Sequence, residues 1–183
     1  IISTNLACDA AQKSFYHYAA TYGIGKKCHL LDVPYDNSPD SIIYLAGQLE
    51  RLSRTISEET GLEMDRERFA RTMALSNKFR EYALKVNNIR KSLIKYPDGF
   101  NGLNFIFPFH GLAGTENVVK LYKSIHSELG KLLKDQKKEN STKKSIPKKI
   151  LWMHLKPYYR NEIFDIIEKG NARVVFEEIN NVY

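Results

Sequence analysis

Twice along this chain a run of adjacent apolar residues gives way to apolar positions spaced three or four apart, the signature of a strand leading into a helix. Residues 1–6 (IISTNL) open apolar and β-branched, as a buried strand does. Over 9–22, Ala11, Phe15, Tyr18, Ala19 and Tyr22 share one helical face, and Gly23 is placed to end the helix. Residues 28–33 (CHLLDV) then read as a second strand, closed by Pro34. Strand, helix and strand at this spacing predict a βαβ unit with parallel strands and a right-handed crossover.

A long helical stretch follows. Ser38-Pro39-Asp40 offers an N-cap, a proline at the first helical position and an early carboxylate. Ile42, Leu45, Ala46, Leu49, Leu52 and Ile56 form an apolar stripe that stops near Gly61. Asp65 is placed to cap a second helix with Phe69, Met73, Phe79, Tyr82, Val86, Ile89 and Leu93 inward, until Pro97. The short turn between the two helices, with its glycine, predicts an antiparallel pair. A Gly- and aromatic-rich loop (97–114) precedes a third helix that starts at Thr115-Glu116 and runs through Val118, Val119, Tyr122, Ile125, Leu129 and Leu132.

Residues 150–155 (ILWMHL) return to a strand. Residues 160–169 form a short amphipathic helix on Ile163, Phe164, Ile166 and Ile167, stopped by Gly170, and 173–176 (RVVF) are the next strand. This is a second βαβ beginning. The fold class expected is therefore α/β: two partial Rossmann-like βαβ lobes, 1–36 and 149–183, with a helical segment 37–135 associated with the first lobe and a Lys-rich linker at 136–148. The first run enters a strand without a leading Met, and the last stops just after one. Both ends read as cuts within a larger protein.

Composition supports a globular chain, at 43% hydrophobic and 27% charged residues. No apolar run approaches the roughly 20 residues of a membrane span, and the start has neither the basic flank nor the apolar stretch of a signal peptide. The two cysteines, Cys8 and Cys28, are no disulfide framework, though a bridge between them stays open; the cysteine usage suits the cytoplasm. The net charge of +7 is local: residues 131–149 hold eight lysines against Asp135 and Glu139, leaving 20 basic and 19 acidic residues elsewhere. A solvated linker or fraying helix end is favoured there over a phosphate-binding arm, because no aromatics interleave to stack bases. Nucleic acid is not expected as a partner.

Chemistry is expected where strands end. Cys8 sits between the first strand and the first helix, on the edge where open α/β sheets bind ligands. Free N–H groups and the helix dipole there stabilise a thiolate, making Cys8 a candidate nucleophile or metal ligand; a small buried hydrophobe is the competing role. Cys28 opens a strand and is read as structural. One thiolate cannot hold zinc or a cluster alone, and no Gly-rich phosphate loop occurs. His154 and Lys156, with Tyr158 and Tyr159, stand at the matching edge of the second unit as candidate acid and base or anion contacts, against a loop histidine beside a solvated lysine. His110 falls in a packed aromatic loop, and His17 and His126 lie on helices.

Several runs resemble the 2-hydroxyacyl-CoA dehydratase family, which includes benzoyl-CoA reductase-type subunits. They are Asn5-Leu6-Ala7-Cys8-Asp9, Lys13-Ser14-Phe15-Tyr16, Leu31-Asp32-Val33-Pro34-Tyr35, the segment 58–65 (EETGLEMD), 76–80 (SNKFR) and 166–170 (IIEKG), in that order. The resemblance implies two Rossmann-like lobes with a helical segment between them. It also implies a 4Fe-4S cluster held by cysteines of both lobes and binding the acyl-CoA thioester carbonyl. A homologous second subunit and an ATP-driven activator are the implied partners; the activator supplies one electron, and a ketyl radical then loses the hydroxyl as water. Cys8 resembles one cluster cysteine. The family's earlier and later cysteines have no counterpart within this sequence, so the chain alone is expected to carry no intact cluster and to dehydrate nothing. The alternative is a non-catalytic partner or regulatory domain of the same architecture within an activator-type protein.

Overall fold

The computed structural model describes residues 1–5, 9–94, 108, 111–139, 147–154, 157, 159 and 162–178. They fall into two compact units, Ile1–Asp65 and Arg66–Tyr183. Mixed helix and strand with two small parallel ladders make this an α/β chain.

In the first unit, β1 (Ile2–Thr4) pairs in parallel with β2 (His29–Leu31), with Ile2 opposite His29 and Thr4 opposite Leu31. Between them runs α1 (Asp9–Thr21). It ends as the glycine signal predicts: Gly23 takes φ +63, its N–H reaches Ala20 O, and the Ile24 N–H reaches Ala19 O at 3.0 Å. This crossed pair satisfies the last carbonyls, and only a residue free to go left-handed can form it. The helix buries less than its stripe predicts. Ala19 is inside and Phe15 half-buried, but Tyr18 and Tyr22 are exposed and pack on each other, rings 4.5 Å apart.

Helix α2 (Pro39–Thr60) starts on Ser38, whose Oγ accepts from the Ser41 N–H, with Pro39 in the first turn. Asp36 braces this start, accepting from the Ser38 N–H at 2.9 Å and the Ser41 hydroxyl at 2.7 Å. Hydrogen bonding from the Ser38 side chain first, then from the Ser41 hydroxyl and the Ser38 N–H, holds the Asp36 carboxyl down at about 2. Gly61 (φ +71) ends the helix, its N–H on Ser57 O. The inward face is rotated from the predicted stripe. Leu45, Gln48 and Leu52 turn in, while Ile42, Leu49 and Ile56 are exposed.

In the second unit, α3 (Arg66–Arg90) packs along α4 (Glu116–Glu139). Phe79, Ala83, Val86 and Leu93 meet Val118, Tyr122 and Leu129 in one core. Fully buried side chains of the size of Val, Leu or Phe contribute about 1.5–3 kcal/mol each. The Phe79 and Tyr122 rings meet edge to face, centroids 4.7 Å apart, and burial pushes the Tyr122 hydroxyl up to about 12. Phe69 and Met73, predicted inward, are exposed, and Leu133 rather than Leu132 packs against the core. Helix α4 continues into the Lys-rich stretch through Glu139. There the Gln136 amide accepts from the Ile94 N–H at 2.6 Å and donates to Ser92 O at 3.0 Å, finishing the chain just beyond α3.

The second ladder pairs β3 (Lys148–Trp152) with β4 (Ala172–Glu177), again parallel, with a register shift between Ile150 and Leu151. The short α5 (Ile163–Lys169) covers it through Phe164, which packs on Val174, Ile150 and Trp152. Ile166, predicted inward, is exposed. The left-handed residue after α5 is Asn171 (φ +54), not Gly170; asparagine tolerates that region well. Among the described residues, no helix is long and apolar enough to cross a membrane.

Candidate functional site

The C-terminal ends of β1 and β2 carry a hydrogen-bonded cluster made by side chains acting on backbone. Past the last ladder pair, the Asn5 N–H still reaches Leu31 O at 3.3 Å. The Asn5 side chain then takes over, accepting from the Val33 N–H at 2.8 Å and donating to Val33 O at 3.3 Å. From the other side, buried Gln48 of α2 accepts from the Asp32 N–H at 2.9 Å and donates to Asp32 O at 2.7 Å. Two amide side chains thus continue the ladder beyond Leu31, and they satisfy backbone groups that would otherwise lose water without compensation. This pairing also sets the rotation of α2, because Gln48 must face β2.

The Asp32 carboxylate is gripped on both oxygens, by Asn5 Nδ2 at 2.5 Å and by the Tyr44 hydroxyl at 2.9 Å. The bond to Asp32 raises the Tyr44 hydroxyl above its ordinary range. A carboxylate held in this way is suited to fixing its neighbours in place. Cys8 follows in the sequence between Asn5 and the first residue of α1, and it lies outside the described residues. Cys28, at the opposite end of β2, is half-buried with a free thiol.

At the second ladder, β3 ends at Trp152, earlier than the predicted 150–155. His154 lies two residues on, exposed, with φ +65, and its backbone N–H donates to the Glu178 carboxylate at 3.1 Å. Lys156 and Tyr158, like His110, lie outside the described residues, and Tyr159 is exposed. His17 is exposed on α1, and His126 stands edge-on to Tyr82 on α4. Among the described residues, no three His, Cys, Asp or Glu side chains converge to hold a metal ion.

A family model described as 2-hydroxyglutaryl-CoA dehydratase, D-component, matches residues 1–182. The chain belongs to that family. No curated protein matches it significantly. Two of the runs that carry the dehydratase likeness, 5–9 and 31–35, meet in space: the Asn5 side chain of one binds the Asp32 carboxylate and Val33 backbone of the other. Sequence patterning had given no role to Asn5, Asp32, Tyr44 or Gln48. One signal was present, since Gln48 is the polar residue between Leu45 and Leu52 on one helical face.

Proposed function

We propose that this chain forms part of a 2-hydroxyacyl-CoA dehydratase component, with the end of its first parallel ladder on the catalytic side. The family match across residues 1–182 carries the reading. The rigid edge built by Asn5, Asp32, Tyr44 and Gln48 supports it, because ligands of open α/β sheets bind beyond strand C-termini. In this reading each ladder belongs to a Rossmann-like lobe, and the protein works in the cytoplasm. Cys8 is one ligand of a 4Fe-4S cluster whose other ligands lie on other polypeptide segments. That cluster would supply one-electron chemistry, charged by an ATP-driven activator, and a homologous second subunit is the other partner. The net reaction converts a 2-hydroxyacyl-CoA into the 2-enoyl-CoA and water. His154 and Lys156 are the acid–base candidates at the end of β3.

The test is anaerobic turnover by the protein together with its companion subunit and activator, read as enoyl-CoA formed, with iron measured on the same sample. Cys8→Ala is expected to lower iron content and abolish turnover together. Turnover that survives Cys8→Ala, or a wild-type complex without iron, would overturn the reading.

A further inference from the structure

The lysines of α4 gather on one side of the helix. Lys120, Lys123, Ser127, Lys131, Lys134 and Lys138 follow one another at steps of three or four, the spacing of a single helical row. All five lysines of the row are exposed, and Lys137 stands beside it, exposed as well. At 1.5 Å per residue the row runs about 27 Å. Much of the charge expected in a solvated linker is thus carried on an ordered rod, whose opposite side packs on α3 through Val118, Tyr122 and Leu129.

Such a row works against its own helix. Lys120 and Lys123, Lys131 and Lys134, and Lys134 and Lys138 are like-charged neighbours at the spacings where equal charges destabilise. The helix dipole favours Lys137 and Lys138 in the last turn, but its reach ends there. Lys120 pairs with Glu116 at 4.0 Å and Lys138 with Asp135 at 3.8 Å. Lys123, Lys131, Lys134 and Lys137 make no ion pair among the described residues.

The neighbouring acids decide the kind of partner. Glu116 begins the row, and Glu128 and Asp135 run along one flank, all exposed. A nucleic-acid backbone or an anionic lipid surface is negative throughout and would meet these carboxylates as well as the lysines. The row offers no aromatic for base stacking, and the core-forming side of α4 is not open to lipid. A protein surface can set carboxylates against the lysines and leave neutral or basic side chains against the acids. A helix laid alongside, with one carboxylate per turn, matches a straight row with about one lysine per turn. We propose that the exposed lysine row of α4 docks the acidic face of a helix in a partner protein.

Binding to the full chain in about 0.1 M salt, followed by amide NMR, tests the surface. The probe is a helix-forming peptide with Glu at every third or fourth position, so that all share one face. A peptide of the same composition with its Glu spread round the helix, a single-stranded oligonucleotide and phosphatidylserine vesicles are the other arms. The one-faced peptide is expected to bind most tightly, to shift amides of α4 and to weaken as salt is added. Lys123→Gln, Lys131→Gln and Lys134→Gln together are expected to weaken it about tenfold, the loss of three exposed ion pairs, with circular dichroism confirming the fold. Lys13→Gln, Lys26→Gln and Lys27→Gln together remove the same charge from the first unit. They are expected to leave binding within about twofold, because screening confines each charge to roughly 10 Å. A one-faced peptide that does not bind, binds the α4 variant as tightly as wild type, or is matched by the spread peptide overturns the proposal. Tighter, row-dependent binding of the oligonucleotide or the vesicles overturns the choice of a protein partner. None of these readouts needs dehydration, so the surface and the dehydratase reading fail separately.

Discussion

Arg90, the last residue of α3, holds Glu177, the last residue of β4, through a guanidinium–carboxylate bond of 2.5 Å between side chains only 3% and 0% exposed. Asn87, one turn back on α3, accepts from the same guanidinium at 3.3 Å. A hydrogen-bonded buried pair thus fastens the second ladder to the helical pair. Removing one partner strands the other charge out of water. Arg90→Ala or Glu177→Ala is expected to destabilise the chain by about 3–5 kcal/mol in urea unfolding. Replacing both residues together with leucine is expected to cost clearly less than the sum of the single changes, because no lone charge remains.

The amide of Gln48 serves two backbone groups of Asp32 at once. Gln48→Leu keeps the size but leaves a buried N–H and C=O without that partner. The expected loss is about 1–3 kcal/mol, together with faster hydrogen exchange at the Asp32 amide. An unchanged exchange rate there would remove Gln48 from its role as a ladder extension.

Asp36 is expected to titrate at about 2 instead of its usual 3.8, because Ser38 and Ser41 hydrogen-bond its charged form. Its folded pKa is depressed, so its contribution is fully present above about pH 4 and fades as the pH falls through about 2. Carboxyl carbon NMR reads this directly. In Ser38→Ala the midpoint is expected to climb back toward 3.8, with fraying of the first turn of α2.

Gly114 combines φ +82 with a tight approach, since a Cβ placed there would stand 2.6 Å from Thr72 Cγ2. Gly114→Ala therefore faces both a left-handed backbone and a collision. The expected cost is about 1–3 kcal/mol in the denaturation midpoint. Thr72→Ser removes the colliding methyl, so in that background the penalty is expected to shrink to the backbone share.

The glycine and N-cap signals were legible because they act within a few residues. Gly23, Gly61 and Ser38 do what their positions predict. Both parallel pairings were legible from the alternation of short apolar runs with helical spacing. Helix faces were read less well. Ile42, Leu49, Phe69 and Ile166 fit a stripe by hydrophobicity yet stand exposed, because periodicity gives the period of a face and leaves its rotation to tertiary contacts. In α2 that rotation is set by Gln48, a polar residue that hydropathy places outside. The edge cluster was hidden for the same reason: Asn5 and Asp32 lie 27 positions apart, and only strand register brings them together.

The Gln136 contacts with Ser92 and Ile94 change how the basic stretch must be dissected. By charge alone, residues 134–149 look like a removable linker. Excising them would also take away the amide that finishes α3 and the first residues of β3, so a lost activity would report a damaged fold as readily as a lost positive surface. Exchanging individual lysines for glutamine, with residue 136 left alone, separates the electrostatic role of this stretch from its structural one.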